Sequence, residues 1–231
     1  MEGTERRNPR LSASLAAAPL TELKETVAVL ERAGVEMLHF DIEDGIFVPD
    51  LTLGTKMLSD LRALSGLTFD VHLSVIHPER LIPDIASKGA DRIAVHWEAC
   101  EYPLRTLEMI REAGSKAGLA FNPKTPIPEL DYLLSTLDYV QVLSTEPVRG
   151  QSLFIPEMLD KISRNKPLYD HAGLEWVIDG GILPENAGMA VQKGADVLVI
   201  GRSIFEAGKI LENVKNLKAH LTDPPAGNRA S

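Results

Sequence analysis

Short apolar runs alternate with longer amphipathic stretches about eight times along the chain, a pattern typical of repeated βα units. The apolar runs predict strands over residues 11–15, 37–42, 68–73, 92–97, 117–121, 139–143, 175–178 and 197–200. The amphipathic stretches predict helices over residues 20–33, 55–64, 78–88, 103–113, 127–135, 156–171, 184–193 and 203–220. Several of these helices begin at or near a proline, which suits the first helical position because its missing N–H would have no partner there.

This order of elements predicts the fold. Eight strands, each followed by a helix within about 210 residues, indicate an α/β protein with a single-domain (β/α)8 TIM barrel over residues 10–221. A doubly wound parallel sheet is the alternative, but it gives no reason for eight repeated units. Residues 1–9, and residues 222–231 with their prolines and glycine, are predicted to be disordered tails.

Composition narrows the classes of partner and location. The chain has 231 residues, of which 44% are hydrophobic and 25% charged, as in ordinary globular proteins. Its formal charge of −9 argues against nucleic acid or an anionic membrane as the main partner. No apolar run approaches the roughly 20 residues of a membrane span, and the polar start lacks the apolar core of a secretory signal. We therefore expect a cytoplasmic protein in which the single cysteine, Cys100, is structural.

Histidines and aspartates recur where the predicted strands end. His39 and Asp41 are two residues apart, so they share one face of a strand, and His72 and Asp179 each follow an apolar run. In a TIM barrel these strand ends meet at the catalytic face. Two imidazoles and two carboxylates suit a divalent transition metal with open positions. Each residue alone is more often a cap or a solvated group, and it is their recurrence that predicts a site.

The motifs at these strand ends resemble those of the ribulose-phosphate 3-epimerase family. The DG-x-FVP core within residues 38–52 is highly specific, and further matches follow in the family's order at residues 70–73, 95–99, 122–126, 178–182 and 201–205. The resemblance extends from about residue 11 to about residue 221. It implies metal ligands at His39, Asp41, His72 and Asp179.

The resemblance implies a chemistry that these residues can perform. It points to a metal-dependent epimerase that inverts C3 of a phosphorylated ketose, ribulose 5-phosphate/xylulose 5-phosphate or a related ketose phosphate, through an enediolate. Asp41 would be the base on one face and Asp179 the acid on the other, with roles exchanged in reverse. Zinc, iron(II), manganese or cobalt would fit the ligands and act as a Lewis acid. The family also implies a homo-oligomer.

A site for the substrate and its phosphate is expected at the same end of the barrel. The expected substrate-binding residues are Ser14, His72, Gly150, Gly180, Gly181, Gly201 and Arg202. Backbone N–H groups of the glycines and the start of the last helix form an anion site. Arg202 either contacts the phosphate directly, which we favour, or is a solvated side chain.

The chain departs from the family at two places. Three methionines that the family places beneath the metal align with Glu43, Ser74 and Leu143. Glu43 either faces the substrate as an extra acid, ligand or repulsive charge, or turns aside to pair with a Lys or Arg. The glycine-rich flap is replaced by residues 144–152, where Val148 and Arg149 cannot allow the same backbone approach. These changes predict that ribulose 5-phosphate is handled less well than by ordinary family members.

Two other functions stay open at this point. Aldol-type or decarboxylating chemistry in the same barrel is favoured by Glu43 and Arg149. A non-catalytic sugar-phosphate-binding paralogue is the third reading. Retention of both Asp41 and Asp179 argues against it, because binding alone does not need two opposed carboxylates.

Overall fold

Eight parallel strands close into a barrel in sequence order. The computed structural model describes residues 8–146 and 153–222. Strands β1 to β8 span Arg10–Ser14, Met37–Glu43, Thr68–Ser74, Arg92–His96, Lys116–Phe121, Tyr139–Leu143, Glu175–Asp179 and Val197–Ile200. Pairing of β1 with β8 closes the sheet. The predicted TIM barrel is therefore confirmed, and the doubly wound alternative, an open sheet, is wrong.

Helices cover the outside of the barrel. Helices α1 to α8 span Leu23–Arg32, Thr55–Arg62, Ile82–Ser87, Pro103–Glu112, Leu159–Tyr169, Pro184–Gln192, Arg202–Phe205 and Ile210–Thr222. Each long helix is amphipathic: α1, for example, buries Val27 and Leu30 against the sheet. None of the described helices is both long enough and apolar enough to cross a bilayer.

Two predicted helices differ from the structure. The helix predicted over residues 127–135 is only a single 3-10 turn, Asp131–Leu133. Pro126 and Pro128 have no backbone N–H to donate at the start of this segment. Just before it, the Lys161 ammonium binds the carbonyl oxygens of residues 122, 123 and 125. The helix predicted over residues 203–220 is broken, because Ala207 adopts a left-handed φ of 52° between α7 and α8.

The strands bury both of their faces, which explains their nearly continuous apolar sequences. One face packs against the helices, and the other fills the barrel. Inside the barrel lies a second apolar cluster made of Met37, Ala94, Ala120, Tyr139, Leu143, Val177, Val197 and Val199. The guanidinium carbon of Arg92 lies 4.0 Å from the centroid of the Tyr139 ring in this interior. Strand registry therefore decides which polar side chains point inward with this cluster.

Gly118 is required by the Tyr139 ring on the neighbouring strand. The two residues are partners in the β5–β6 register, and a Cβ at Gly118 would overlap that ring. We expect Gly118→Ala to lower the free energy of unfolding by about 1–3 kcal/mol, the usual cost of overpacking a core. Urea titration followed by circular dichroism measures the change.

The matched control is Gly66→Ala, because a Cβ there meets no atom within 4 Å. Its unfolding midpoint should stay close to that of the wild type. Equal midpoints for the two variants would contradict the steric argument.

Candidate metal centre and active site

The four predicted metal ligands lie together at the carboxyl end of the barrel. His39 and Asp41 lie on β2, His72 on β3 and Asp179 at the end of β7. One ligand atom from each residue lies within 4.8 Å of those of the other three. The β2–β3 register places Asp41 beside His72, so strand pairing alone fixes part of the cluster.

Each histidine presents one nitrogen to both carboxylates. His39 Nε2 lies 3.2 Å from Asp41 Oδ1 and 3.6 Å from Asp179 Oδ2. His72 Nδ1 lies at the same two distances, 3.2 and 3.6 Å, from these oxygens. Two nitrogens and two oxygens converging on one point are a mixed donor set that fits zinc, iron(II), manganese or cobalt.

The two carboxylates have opposite pKa shifts. Burial disfavours ionised Asp41, but the charge and hydrogen bond of His39 outweigh burial and hold the pKa of Asp41 well below its usual range. For Asp179, burial raises the pKa, and the Asp41 charge adds to the rise against the opposing effect of His39. Neighbouring titratable groups whose pKa values are driven apart are suited to act as base and acid.

The buried Asp70 carboxylate contacts His39 at Nδ1, the ring nitrogen that faces away from the cluster. Asp70 Oδ2 lies 2.9 Å from His39 Nδ1 and accepts a 3.0 Å hydrogen bond from the Ser12 hydroxyl. Arg92 Nε lies 3.2 Å from Asp70 Oδ1. Burial would raise the pKa of Asp70, but Arg92 and His39 outweigh it and hold that pKa far below its usual value. An ionised Asp70 accepts the Nδ1–H of His39, which leaves Nε2 facing the ligand cluster.

Two further side chains orient the aspartates. Gln141 Nε2 donates a 2.8 Å hydrogen bond to Asp179 Oδ2, and the Ser14 hydroxyl donates a 2.9 Å hydrogen bond to Asp41 Oδ2. Ser14, expected at the substrate, therefore contacts a carboxylate of the cluster. Asp70 and Gln141 are supporting residues that the sequence-based predictions do not include. Their signal was a polar residue inside an otherwise apolar strand.

Three more titratable groups lie near the end of β4. Burial lowers the pKa of His96 to about 4. Burial opposes ionisation of Glu98, but hydrogen bonds from His96 and Thr125 outweigh it and lower the pKa of Glu98 to about 2. Burial raises the pKa of Cys100 to about 12, so its thiol stays protonated at neutral pH, in line with the expected structural role.

Two cavities meet at the cluster. One, of about 220 Å³ and called the metal cavity below, is lined by Asp41, His72 and Asp179 together with Glu43, Ser74 and Leu143. The other, of about 330 Å³, contains the expected substrate residues Ser14, Gly180, Gly181, Gly201 and Arg202. Thr145 and Asp179 line both cavities. A third cavity, of about 540 Å³, is larger but lies at the amino ends of the strands, away from all the predicted site residues.

The second cavity needs its glycines. Gly180 and Gly181 have φ values of 109° and 66°, which disfavour other residues. A Cβ at Gly180 would overlap the Thr145 side chain, and one at Gly201 would lie 3.1 Å from the Ala17 side chain. Arg202 is exposed at the start of α7. The remaining expected residue, Gly150, lies outside the described residues, as do Val148, Arg149 and nearly all of both predicted tails.

Glu43 faces the metal cavity, one of the two orientations expected for it. Burial raises its pKa and the charge of Asp41 adds to the rise, while a hydrogen bond with Thr52 opposes it. Within the described parts of the chain, Glu43 forms no ion pair with a Lys or Arg. The cavity therefore carries a carboxylate that is not one of the four clustered ligands.

The fold and the site together define a TIM-barrel protein with a His- and Asp-based metal-type centre. A model of the ribulose-phosphate 3 epimerase family matches residues 10–205. Ribulose-phosphate 3-epimerases from Synechocystis sp. and Escherichia coli K12 are 37% and 38% identical to this chain. These alignments cover 92% and 91% of this chain, and 94% and 95% of the relatives. The chain belongs to the ribulose-phosphate 3-epimerase family, which confirms the class expected from the sequence.

Solved structures of other proteins share the fold. A 3-keto-L-gulonate-6-phosphate decarboxylase from Vibrio cholerae superposes with a TM-score of 0.66 and 17% identity, covering 94% of this chain and 98% of that one. An orotidine 5'-phosphate decarboxylase from Pyrococcus horikoshii gives 0.65 and 16%, covering 92% and 99%. At this level of sequence identity, the structural similarity shows only that the proteins share the barrel fold.

Metal binding should release protons. Burial disfavours charge on His39, but Asp41 and Asp70 outweigh it and raise the pKa of His39 well above its usual value. A metal must therefore displace a proton at neutral pH, and its affinity should fall about tenfold per pH unit once the pH is below the raised pKa of His39. Calorimetric zinc titrations in buffers of different ionisation enthalpy measure both effects.

One variant tests the zinc site and a second serves as its control. His72→Ala removes a clustered ligand and should lose zinc while its circular dichroism stays unchanged. His171→Ala changes an exposed histidine in a turn and should bind zinc as the wild type does. A zinc affinity independent of pH would show that the metal does not replace a proton on His39.

Proposed function

We propose that the protein is a metal-dependent epimerase that inverts C3 of a ketose phosphate, with ribulose 5-phosphate or a close relative as substrate. The observation that carries this proposal is the pair Asp41 and Asp179, two carboxylates that line one cavity and belong to the four-residue cluster. Membership of the epimerase family supports it. Inversion beside a carbonyl needs one group to remove a proton and another to return it to the opposite face.

The two carboxylates reach the cavity from separate parts of the barrel wall. Asp41 lies on β2 and Asp179 on β7, with β1 and β8 between them. Asp41, the more acidic group, is ionised and acts as the base in one direction. Asp179, whose pKa is raised, holds the proton that is returned. In the reverse reaction the two residues exchange these roles.

The four clustered residues, His39, Asp41, His72 and Asp179, would hold the metal. A bound divalent metal supplies positive charge that stabilises the negative charge developing on the substrate oxygens. Asp70 and Gln141 fix the orientation of two of the ligands through hydrogen bonds. Zinc, iron(II), manganese and cobalt remain equally compatible with this donor set.

The substrate would lie across both cavities. Its phosphate would bind backbone N–H groups near Gly181 and Gly201, with Arg202 adding charge. The reacting carbons would lie past Thr145 and Asp179, the residues common to both cavities. Glu43 and Glu146 line only the metal cavity, so the end of the substrate opposite the phosphate meets negative charge. This favours a neutral hydroxylated end over a second phosphate or a carboxylate.

The alternative aldol-type or decarboxylating function is less well supported. That chemistry would pass through the same enediolate as epimerisation. The Glu43 carboxylate, which was counted in its favour from the sequence, lines the metal cavity and would repel a substrate carboxylate placed there. The non-catalytic alternative leaves the paired carboxylates Asp41 and Asp179 without a purpose.

The organisation and assembly of the protein are also part of the proposal. From the family we propose a homo-oligomer that acts in the cytoplasm and binds neither nucleic acid nor membranes. We propose one barrel domain over residues 10–221, with tails at 1–9 and 222–231. Sedimentation at several protein concentrations tests the oligomer.

Removing either carboxylate should abolish epimerisation. Each proton transfer is worth about 10²–10⁴ in rate, so Asp41→Asn and Asp179→Asn should each lose at least that factor. One of the two should still exchange the C3 proton with solvent, since a single base suffices on one face. NMR in D₂O with ribulose 5-phosphate measures exchange and epimer formation together.

The control is Asp60→Asn, which changes an exposed aspartate on α2. It should leave both rates unchanged. In the wild type, exchange with epimer formation supports the proposal. Exchange without it indicates the aldol-type or decarboxylating alternative, and no exchange indicates a binding paralogue. Wild-type turnover in both Asp variants would show that the two-carboxylate mechanism is wrong.

Substrate preference should depend on the two ends of the site. Arg202→Ala should raise KM for ribulose 5-phosphate about tenfold, the lower range for a charge-assisted contact because the side chain is exposed. Glu43→Gln should reduce discrimination against a ketose 1,5-bisphosphate, since it removes the opposing charge. Steady-state kcat/KM on both sugars measures each effect.

Arg105→Ala, which changes an exposed arginine on α4, is the control for the first variant. An unchanged KM in Arg202→Ala would remove that residue from the phosphate site.

The departures at Glu43, Ser74 and Leu143 also predict low catalytic efficiency (kcat/KM) on ribulose 5-phosphate relative to the bacterial family members. Equal efficiency would contradict a shifted substrate.

A further inference from the structure

His72, His96 and Glu98 form a hydrogen-bonded chain that starts at the His72 ring nitrogen facing away from Asp41 and Asp179. His72 Nε2 lies 2.9 Å from His96 Nε2, and His96 Nδ1 lies 3.2 Å from Glu98 Oε2. Both imidazoles are buried. The other Glu98 oxygen, Oε1, accepts a 3.0 Å hydrogen bond from the Asn122 backbone N–H, which fixes this carboxylate in place.

The local fold explains the arrangement. Strand β4 ends at His96, and the 3-10 turn Trp97–Ala99 brings Glu98 back against the His96 ring. The Phe47 ring also packs on His96, with its centroid 4.6 Å from that of the imidazole. His96 is therefore contacted by an aromatic ring and, at Nδ1, by a carboxylate, while its Nε2 faces His72.

The proton positions follow from the chemistry of imidazole. His72 Nδ1 faces the Asp41 and Asp179 carboxylates, so it is the nitrogen that binds a cation and must then carry a lone pair. The proton of His72 must then lie on Nε2. That N–H needs an acceptor, and His96 Nε2 accepts only when the His96 proton is on Nδ1. A carboxylate at Nδ1 is what stabilises that tautomer.

We propose that His96 and Glu98 are positioning residues that hold His72 in the tautomer that binds metal through Nδ1. Asp70 holds His39 in the same way, but by direct contact. The Ser74 hydroxyl also lies near the pair, at 3.4 Å from both Nε2 atoms, a longer contact than the 2.9 Å between the two imidazoles. The inference rests on the metal site of the proposed function and is independent of which sugar is turned over.

The direct test reads the tautomers. Long-range ¹H–¹⁵N NMR of the zinc-loaded protein distinguishes protonated, unprotonated and metal-bound imidazole nitrogens. We expect zinc on His72 Nδ1, protons on His72 Nε2 and His96 Nδ1, and an unprotonated His96 Nε2. A proton on His96 Nε2 would overturn the proposal.

Variants measure the contribution to metal affinity. His96→Phe keeps a ring against Phe47 but removes the acceptor, and it should weaken zinc binding by about 10–100-fold, the usual effect of losing such a partner. His96→Gln supplies an amide carbonyl that can accept the same N–H, so it should restore part of the affinity. His171→Phe, at an exposed position, is the control.

Glu98→Gln is a second test of the positioning role that leaves both imidazoles in place. It replaces His96→Phe as the deciding variant if that protein does not fold. It should cause a smaller loss of zinc affinity together with a mixture of His96 tautomers. Unchanged affinity and unchanged tautomers in Glu98→Gln would overturn the proposal. A wild-type protein that binds no zinc would instead refute the metal site itself.

Discussion

The charge of Asp70 inside the barrel is the constraint on which the rest of the site depends. An ionised carboxylate in this interior is costly unless charged and hydrogen-bonding partners surround it. Arg92, Ser12 and His39 provide them. Because one of the partners is a metal-facing imidazole, the same contacts that make the buried charge tolerable also set the direction of His39 Nε2. Core stability and site geometry are thus coupled through one side chain.

The chemistry builds on this coupling. His39 is positively charged without metal, and its charge helps to hold Asp41 ionised, while Asp179 gains less from it and retains a raised pKa. Two identical side chains therefore acquire different proton affinities from their surroundings alone. The histidine and carboxylate supports behind His39 and His72 fix which nitrogen of each ring faces these aspartates. The four clustered residues, which include the proposed base and acid, are consequently one electrostatic unit.

The expected departures from the family lie together in the metal cavity. Glu43, Ser74 and Leu143, where the resemblance leads us to expect methionines, all line the metal cavity. An added carboxylate at Glu43 changes the charge that a substrate meets without altering the four clustered ligands. In the proposed function, this separation would allow the same two aspartates to act on a different sugar phosphate.

The sequence by itself determined the strands to within one residue at each end, the barrel, the four clustered residues and the family, because strand alternation and strand-end motifs are local properties. It failed over residues 127–135, where Pro128 removes a backbone donor and where the preceding segment is held by Lys161, which binds the carbonyl oxygens of residues 122, 123 and 125. Only the tertiary structure revealed Asp70, Gln141 and Glu98 as supports and the orientation of Glu43. The roles of Asp70 and Gln141 arise from contacts between strands distant in sequence. The opposed pKa shifts arise because burial is outweighed at Asp41 by the charge and hydrogen bond of His39 but is not outweighed at Asp179, a balance that no linear pattern encodes.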